Sequence, residues 1–354
     1  MAAPPRTPER RSGWRGLVWF WAVVLLLTVV GAGTLQYLGP PDVALAHSNA
    51  QPPPAPPVAA QVKPPAAAKL SDIGPVHAPG APILPPDPAL LAPIPGSAAS
   101  LPRIAPDGRM PMRVYAAGYD PTDARPRVAI LLANIAMGEQ DSEEAIKTLP
   151  AAVSLAVSPY APNPGRLVEL ARATGHELLI GIPMEPQGYA MNDPGPMALM
   201  TGLSPAENAA RLDKVLALFN GYAGATGAMG NGLRGERYAA SAQSVPMLQE
   251  LAQRGLFYID PRPGGRLPAA GAGLASRAVD LVLDEPPLRT EIEAKLGRLV
   301  QLARDHGSAL GLADGPSPVT TGRIAAWAAT LRQQGVVLMP ASALVSRPAV
   351  EAKP

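Results

Sequence analysis

The stretch PRVAILLANIAMGEQDSEEAIKTLPAAVSLAV, residues 126–157, decides the fold class. Arg127 to Leu132 is a short apolar run entered through Pro126, and an apolar run without alternation suits a strand buried on both faces of a parallel sheet. Glu143 to Leu149 carries helix-forming residues and stops at Pro150, which cannot continue a helix. Val153 to Val157 is a second buried strand, stopped by Pro159. A strand, a helix and a second strand within some thirty residues form a βαβ unit.

The unit repeats downstream. Gly165 to Thr174 places apolar residues at helical spacing and ends at Gly175. Glu177 to Ile182 follows as a strand. Ser204 to Phe219 is a helix whose start combines an N-capping Ser204, Pro205 at the first position and Glu207 three residues after the cap. Further strands are expected at Tyr222–Ala225, Leu256–Ile259, Leu281–Leu283, Ser308–Leu312 and Val336–Met339. Helices at Val245–Arg254, Leu288–His306 and Thr321–Gln334 separate them. Such alternation means a parallel sheet covered by helices, either doubly wound or closed as a barrel. In both, functional groups gather at the C-terminal ends of the strands. That rule selects Ala133-Asn134, Glu185, the Gly227–Gly230 turn, Asp260, Asp284-Glu285 and Asp314.

Upstream of this domain the composition changes. About half of the 45 prolines fall between Gly39 and Pro126, and such a segment buries too little apolar surface to offset its ordering entropy. Residues 39–125 are therefore expected to be a disordered polyproline-type linker. Residues 16–38 (GLVWFWAVVLLLTVVGAGTLQYL) carry no charge and are long enough for a helix spanning the ~30 Å hydrocarbon core of a bilayer. Trp19, Trp21 and Tyr37 suit its interfaces. Arg6, Arg10, Arg11 and Arg15 mark residues 1–15 as a cytoplasmic basic tail. The expected arrangement is a single-pass inner-membrane protein whose domain, residues 126–347, lies in the periplasm or outside the cell, followed by a disordered tail at 348–354. The alternative is a signal peptide cut after Ala46, where Ala44-Leu45-Ala46 is a small-x-small site.

Composition also excludes chemistry. A net charge of +2 gives no electrostatic footprint for nucleic acid. The absence of cysteine removes disulfides, thiolate catalysis and Cys-ligated metal. The Gly-rich run GATGAMGNG is neither a dinucleotide fingerprint nor a P-loop, since it lacks the lysine and the helix that should follow. His47 and His77 are isolated in the linker, and His176 and His306 suit structural roles.

Several blocks together resemble the divergent polysaccharide deacetylases: GHELLIGIPMEPQGYAMNDPGP (Gly175–Pro196), NGYAGATGAMG (Asn220–Gly230), ELAQRGLFYID (Glu250–Asp260) and the tail PSPVTTGRIAAWAATLRQQGVVLMPASAL (Pro316–Leu344). The resemblance spans about Pro126 to Ser346. It implies a deformed (β/α) barrel of about seven parallel strands and a role in carbohydrate metabolism of the cell envelope. Deacetylases of the wider superfamily hold a divalent metal such as zinc between an aspartate and two histidines, with a second aspartate as base and a late histidine as acid. A metal-held water and a proton-transferring pair are what amide hydrolysis needs. The resemblance puts the aspartate pair on Ala133-Asn134, the two metal histidines on Gly181 and Glu185, the Asn-His (or Asn-Tyr) pair on Gly227-Ala228 and the late histidine near Asp314. Only Glu185 among them offers an anionic metal ligand, and catalytic zinc takes three protein ligands.

The expectation is thus a membrane-anchored, deacetylase-like domain with a largely lost metal site, binding an envelope glycan or an envelope protein. Asn134, Glu185, Asn192, Asp193, Met229 and Asp314 are the expected substrate contacts. Two alternatives stand beside it. One is an active hydrolase using relocated carboxylates, with Glu185, Asp260 and Asp284 as candidates, and the other is a non-catalytic scaffold. Arg262 and Arg266, in the loop after Asp260, are expected to pair with the strand-end acids.

Overall fold

The computed structural model describes residues 18–28, 76–268 and 273–346. Residues 18–28 are helical. The rest of the expected membrane span, the basic tail, the linker to residue 75 and the tail at 348–354 lie outside the described residues. Among the described residues no helix is long and apolar enough to cross a membrane.

A small antiparallel pair, β1 (Leu91–Pro93) and β2 (Ser100–Pro102), precedes the main sheet. That sheet is built on parallel strands: β3 (Arg127–Ile135), β4 (Ser154–Val157), β5 (Leu178–Gly181), β6 (Gly224–Thr226), β7 (Phe257–Asp260), β8 (Ser276–Ala278), β9 (Leu281–Val282), β10 (Ser308–Ala313) and β11 (Val337–Leu338). They pair in the order β8-β7-β6-β5-β4-β3-β10-β9. The two ends of that order are adjacent in sequence. β8 pairs with β7 and β9 with β10, and the Val279 and Asp280 amides between them donate to the Asp260 and Leu310 carbonyls. One strand broken at Val279-Asp280 therefore bridges the two edges, and the sheet closes as a deformed barrel of seven strand positions, removing free edges. β11 lies beside the start of β3, where β4 does not reach.

The strands alternate between two apolar layers. Val128, Ile130 and Leu132 pack against the helical shell, whereas Ala129, Leu131 and Ala133 face the barrel interior with Leu179, Phe257, Ile259 and Leu310. The helices fall near the expected spans. Ser204 and Glu207 form the expected reciprocal cap. The helix expected at Thr321–Gln334 instead covers Pro318–Ala328, capped by Ser317. Strand β8 carries no apolar run and had no counterpart in the expected elements.

The linker expectation fails over its C-terminal part. Residues 76–125 form a strap that contains the β1–β2 pair and a helical turn at Pro111–Val114. Ile83, Leu90, Met112, Val114, Tyr115 and Ala117 of the strap are buried in the same cluster as the barrel interior. Their attachments are at the ends where strands begin: the Ile83 amide donates to the Arg172 carbonyl and that of Met112 to the Gly255 carbonyl. His77 lies 2.8 Å from the Val114 carbonyl. Proline-rich composition does not prevent order here, because prolines fix φ at little entropic cost while scattered apolar residues fill the barrel floor.

Glu177 ties the floor together. It is fully buried and its carboxylate accepts from Ser154 Oγ at 2.6 Å, the Ala117 amide at 3.1 Å, the Ser342 amide at 3.0 Å and Ser342 Oγ. Burial pushes this carboxyl up, and the four donors oppose it. His176, also buried, places its ring nitrogens 2.8 and 3.1 Å from the Val153 and Ile146 carbonyls, and burial lowers its pKa. It is a structural histidine, as expected.

Candidate functional site

Two clefts open at the ends where the strands finish. The first has a volume of about 460 Å³ and gathers Asn134, Asp141, Asp284, Glu285, Asp314 and Thr320. Asn134 holds a left-handed backbone at the end of β3 (φ 59°), a conformation asparagine tolerates better than most residues. It packs on Gly230, where an added Cβ would stand 2.8 Å from the Asp314 carbonyl and 2.9 Å from Asn134 Nδ2.

Asp314 and Asp284 are linked through the backbone. The Asp314 amide donates to Asp284 Oδ1 at 2.9 Å and Oδ2 at 3.1 Å, and Thr320 Oγ1 donates to Asp284 Oδ2 at 3.3 Å. Asp314 Oδ2 accepts from Arg234 Nη2 at 2.8 Å and from the Gly232 amide at 3.0 Å. Arg234 also reaches Glu285 at 2.6 Å. Burial pushes the Asp314 carboxyl up to about 6, with Arg234 opposing and the nearby Asp284 adding to the rise. Burial raises Asp284 as well.

This makes stability depend on pH. A carboxyl whose folded pKa exceeds its unfolded value binds protons more tightly when native, so its contribution is complete below the unfolded value of 3.8 and is lost as pH rises through about 6. At 1.36 kcal/mol per unit the loss is about 3 kcal/mol. Denaturant unfolding between about pH 4 and 7 is expected to show this fall in the wild type and a smaller one in Asp314→Asn, where the raised Asp284 remains. Parallel pH profiles for the two proteins would contradict it.

The second cleft, about 570 Å³, is lined by Glu185, Tyr189, Asp193, Thr201, Arg211 and Arg237 among others. Glu185 is buried. Its Oε2 accepts from the Thr201 amide and hydroxyl, both at 2.6 Å, and its Oε1 faces Arg237 Nη1 at 3.2 Å. Burial pushes Glu185 up, but the Thr201 hydrogen bonds and Arg237 outweigh it and leave the carboxyl below its ordinary value. The segment 232–237 supplies Gly232 and Arg234 to the first cleft's acids and Arg237 to Glu185, so it runs between the two.

The three carboxylates expected as relocated catalysts therefore do not converge. Asp284 faces the first cleft and Glu185 the second. Asp260 lines neither. Its carboxylate is taken by its own loop, with Arg262 donating through its amide at 3.1 Å, Nε at 2.8 Å and Nη2 at 2.6 Å. That fulfils the pairing expected for Arg262. Of the expected substrate contacts, Asn134 and Asp314 share the first cleft, and Glu185 and Asp193 the second. Asn192 lines neither and donates to the Gln187 carbonyl within its own loop. Met229 is nearly buried against Gly181, 3.1 Å from where a Cβ would stand, so it fills space at the barrel mouth. Arg234, Arg237 and Tyr189 were not singled out from the sequence. The signal for the two arginines is faint: cations in a glycine-rich turn after a strand.

The residues present do not fit a catalytic divalent ion. Ala133, Gly181 and Ala228 carry no side-chain ligand atom, Asn134 offers only a neutral amide, Glu185 lies in the other cleft, and Asp314 is paired with the Arg234 guanidinium. Among the described residues no group of three or more His, Cys, Asp or Glu is arranged to hold a metal.

The profile of a family described as divergent polysaccharide deacetylase matches residues 130–345. Uncharacterized protein YibQ of Escherichia coli K12 is 24% identical over 216 residues, 59% of this chain and 65% of that protein. An uncharacterized protein of Haemophilus influenzae is 25% identical over 204 residues, 56% of this chain and 69% of its own length. The match thus spans just under two thirds of the first relative. The crystal structure of an uncharacterized protein from Agrobacterium tumefaciens C58 superposes with a TM-score of 0.64 at 28% identity, covering 70% of this chain and 100% of that one.

Proposed function

The chain belongs to the divergent polysaccharide deacetylase family, and from that membership we propose that it binds a cell-envelope glycan without hydrolysing it, held outside the cytoplasm by the span expected over residues 16–38. The observation that carries this reading is the chemistry at the strand ends. Where the wider superfamily places its aspartate pair and its two metal histidines, this chain has Ala133-Asn134, Gly181 and Glu185, of which Glu185 alone is an anion, and Met229 packs against Gly181. The barrel and its open clefts are retained, and a rigid scaffold with concave polar surfaces is what a binding module requires.

Incubation with N-acetylglucosamine oligomers and added zinc is expected to release no acetate above the protein-free blank, while the oligomers still bind. Sustained release abolished by a chelator would overturn the reading.

One observation favours a second reading, hydrolysis by relocated carboxylates. Asp284 and Asp314 share a cleft, and a carboxyl near 6 is suited to proton transfer close to neutral pH. That reading requires metal-independent turnover with a break near this pH, lost in Asp314→Asn. The glycan-binding reading requires neither.

A further inference from the structure

The second cleft differs from the first in its balance of charge. The first is lined by Asp141, Asp284, Glu285 and Asp314, and the single guanidinium of Arg234 that pairs with Glu285 and Asp314 leaves an excess of acids, which suits a cationic group. The second is lined by two acids, Glu185 and Asp193, and two arginines, Arg211 and Arg237. A neutral polyol loses less by entering the second, because it leaves no wall of like charges unscreened.

We propose that the second cleft binds a neutral saccharide, with one sugar face laid on the Tyr189 ring and hydroxyls hydrogen-bonded to Arg237, which Glu185 positions. The inference rests on the glycan-binding reading and assigns that glycan its place and its charge class. Tyr189 is 45% exposed, and nearby Met191 is 95% exposed. Both leave apolar surface uncovered beside polar groups. A sugar ring offers the matching pattern, a C–H face and a rim of hydroxyls, and tyrosine provides a rigid contact face at small entropic cost.

Glu185 supplies the polar half indirectly. Its Oε2 is fixed by both Thr201 donors, so Oε1 is held in one direction. Arg237, with a side chain 60% exposed, meets Oε1 at 3.2 Å, longer than a tight charge-assisted contact of about 2.7–2.9 Å. The guanidinium is thus oriented yet keeps donors for a ligand. The wall opposite, residues 193–197, is held in place. Tyr160 donates to the Pro194 carbonyl at 2.8 Å and accepts from the Met197 amide at 3.2 Å, and the Gly195 amide donates to Asp193 Oδ1 at 2.8 Å. A wall fixed before the ligand arrives lowers the ordering cost of binding.

The test is calorimetric titration of the full chain with two probes, a neutral N-acetylglucosamine oligomer and its cationic glucosamine counterpart. The wild type is expected to prefer the neutral oligomer. Tyr189→Ala is expected to weaken it at least about tenfold, and Tyr189→Phe to stay within about twofold, since the ring face persists. Arg237→Ala and Glu185→Gln should each weaken it, and Glu185→Gln should lose its effect once Arg237 is alanine, as a positioning role requires. Tyr189 is half-exposed, so an unchanged melting transition separates binding loss from unfolding. If the wild type binds the neutral oligomer and Tyr189→Ala binds it equally well, the inference is overturned while the glycan reading stands. If only the cationic oligomer binds, insensitive to Tyr189, the inference is overturned in favour of the acidic cleft. If neither binds, the inference falls with the reading it rests on.

Discussion

A chain beginning at Arg127 is expected to lose its cooperative unfolding transition, although it retains every strand of the barrel. The strap buries Ile83, Leu90, Met112, Val114 and Tyr115 against the barrel interior. At roughly 1.5–3 kcal/mol for each large side chain, their removal costs on the order of 10 kcal/mol. That equals the whole stability of an ordinary domain, about 5–15 kcal/mol. The cost also has a local form, since Leu131, Phe257 and Leu310 would then line a floor open to water. Expression of residues 127–346 beside 76–346, followed by thermal unfolding, checks this. A cooperative transition in the shorter chain within about 5 °C of the longer one would contradict it, since a loss of this size must move the midpoint further.

The second large effect is expected at Glu177. Replacing it with alanine leaves the Ala117 and Ser342 amides and the Ser154 and Ser342 hydroxyls without their acceptor in a closed interior. An unsatisfied buried donor costs about 1–3 kcal/mol. The hydroxyls can rotate towards other acceptors, whereas the two amides are fixed, so the total should fall near 3–5 kcal/mol. Glu177→Gln keeps one acceptor oxygen and should cost about half as much. Urea unfolding at constant m-value measures both. Equal stability of Glu177→Ala and the wild type would show that the strap and the segment after β11 are joined to the barrel by packing alone.

The barrel was legible in the sequence and its floor was not, for a physical reason. Val128 to Leu132 announces a strand because every residue there is apolar, and such runs recur between capped helices. Ser204 and Glu207 mark a helix start by local hydrogen bonding, which sequence spacing reports directly. The strap has no such period. Ile83, Leu90, Met112 and Tyr115 are spaced irregularly among prolines, and only the shape of the barrel floor makes them neighbours. β8 was hidden because Ser276-Arg277-Ala278 holds no apolar run, whereas its continuation β9 shows through Leu281, Val282 and Leu283.

At the site, strand-end placement selected Asn134, Glu185, Asp284 and Asp314, all of which line one of the two clefts, but could not group them. Grouping depends on the segment 232–237, which runs between Asp314 and Glu185 and pairs with both through Arg234 and Arg237. Asp260 was misgrouped because a residue two positions later, Arg262, captures it. An exposed tyrosine in a loop follows no pattern, so Tyr189 emerged only with the cleft wall around it.

The strap also gives the domain a polarity. The strap meets the barrel at Gly80 and Ala81, beside Gly175 where β5 is about to begin, and both clefts open where strands finish. A molecule seated in either cleft is therefore separated from the strap by the length of the strands.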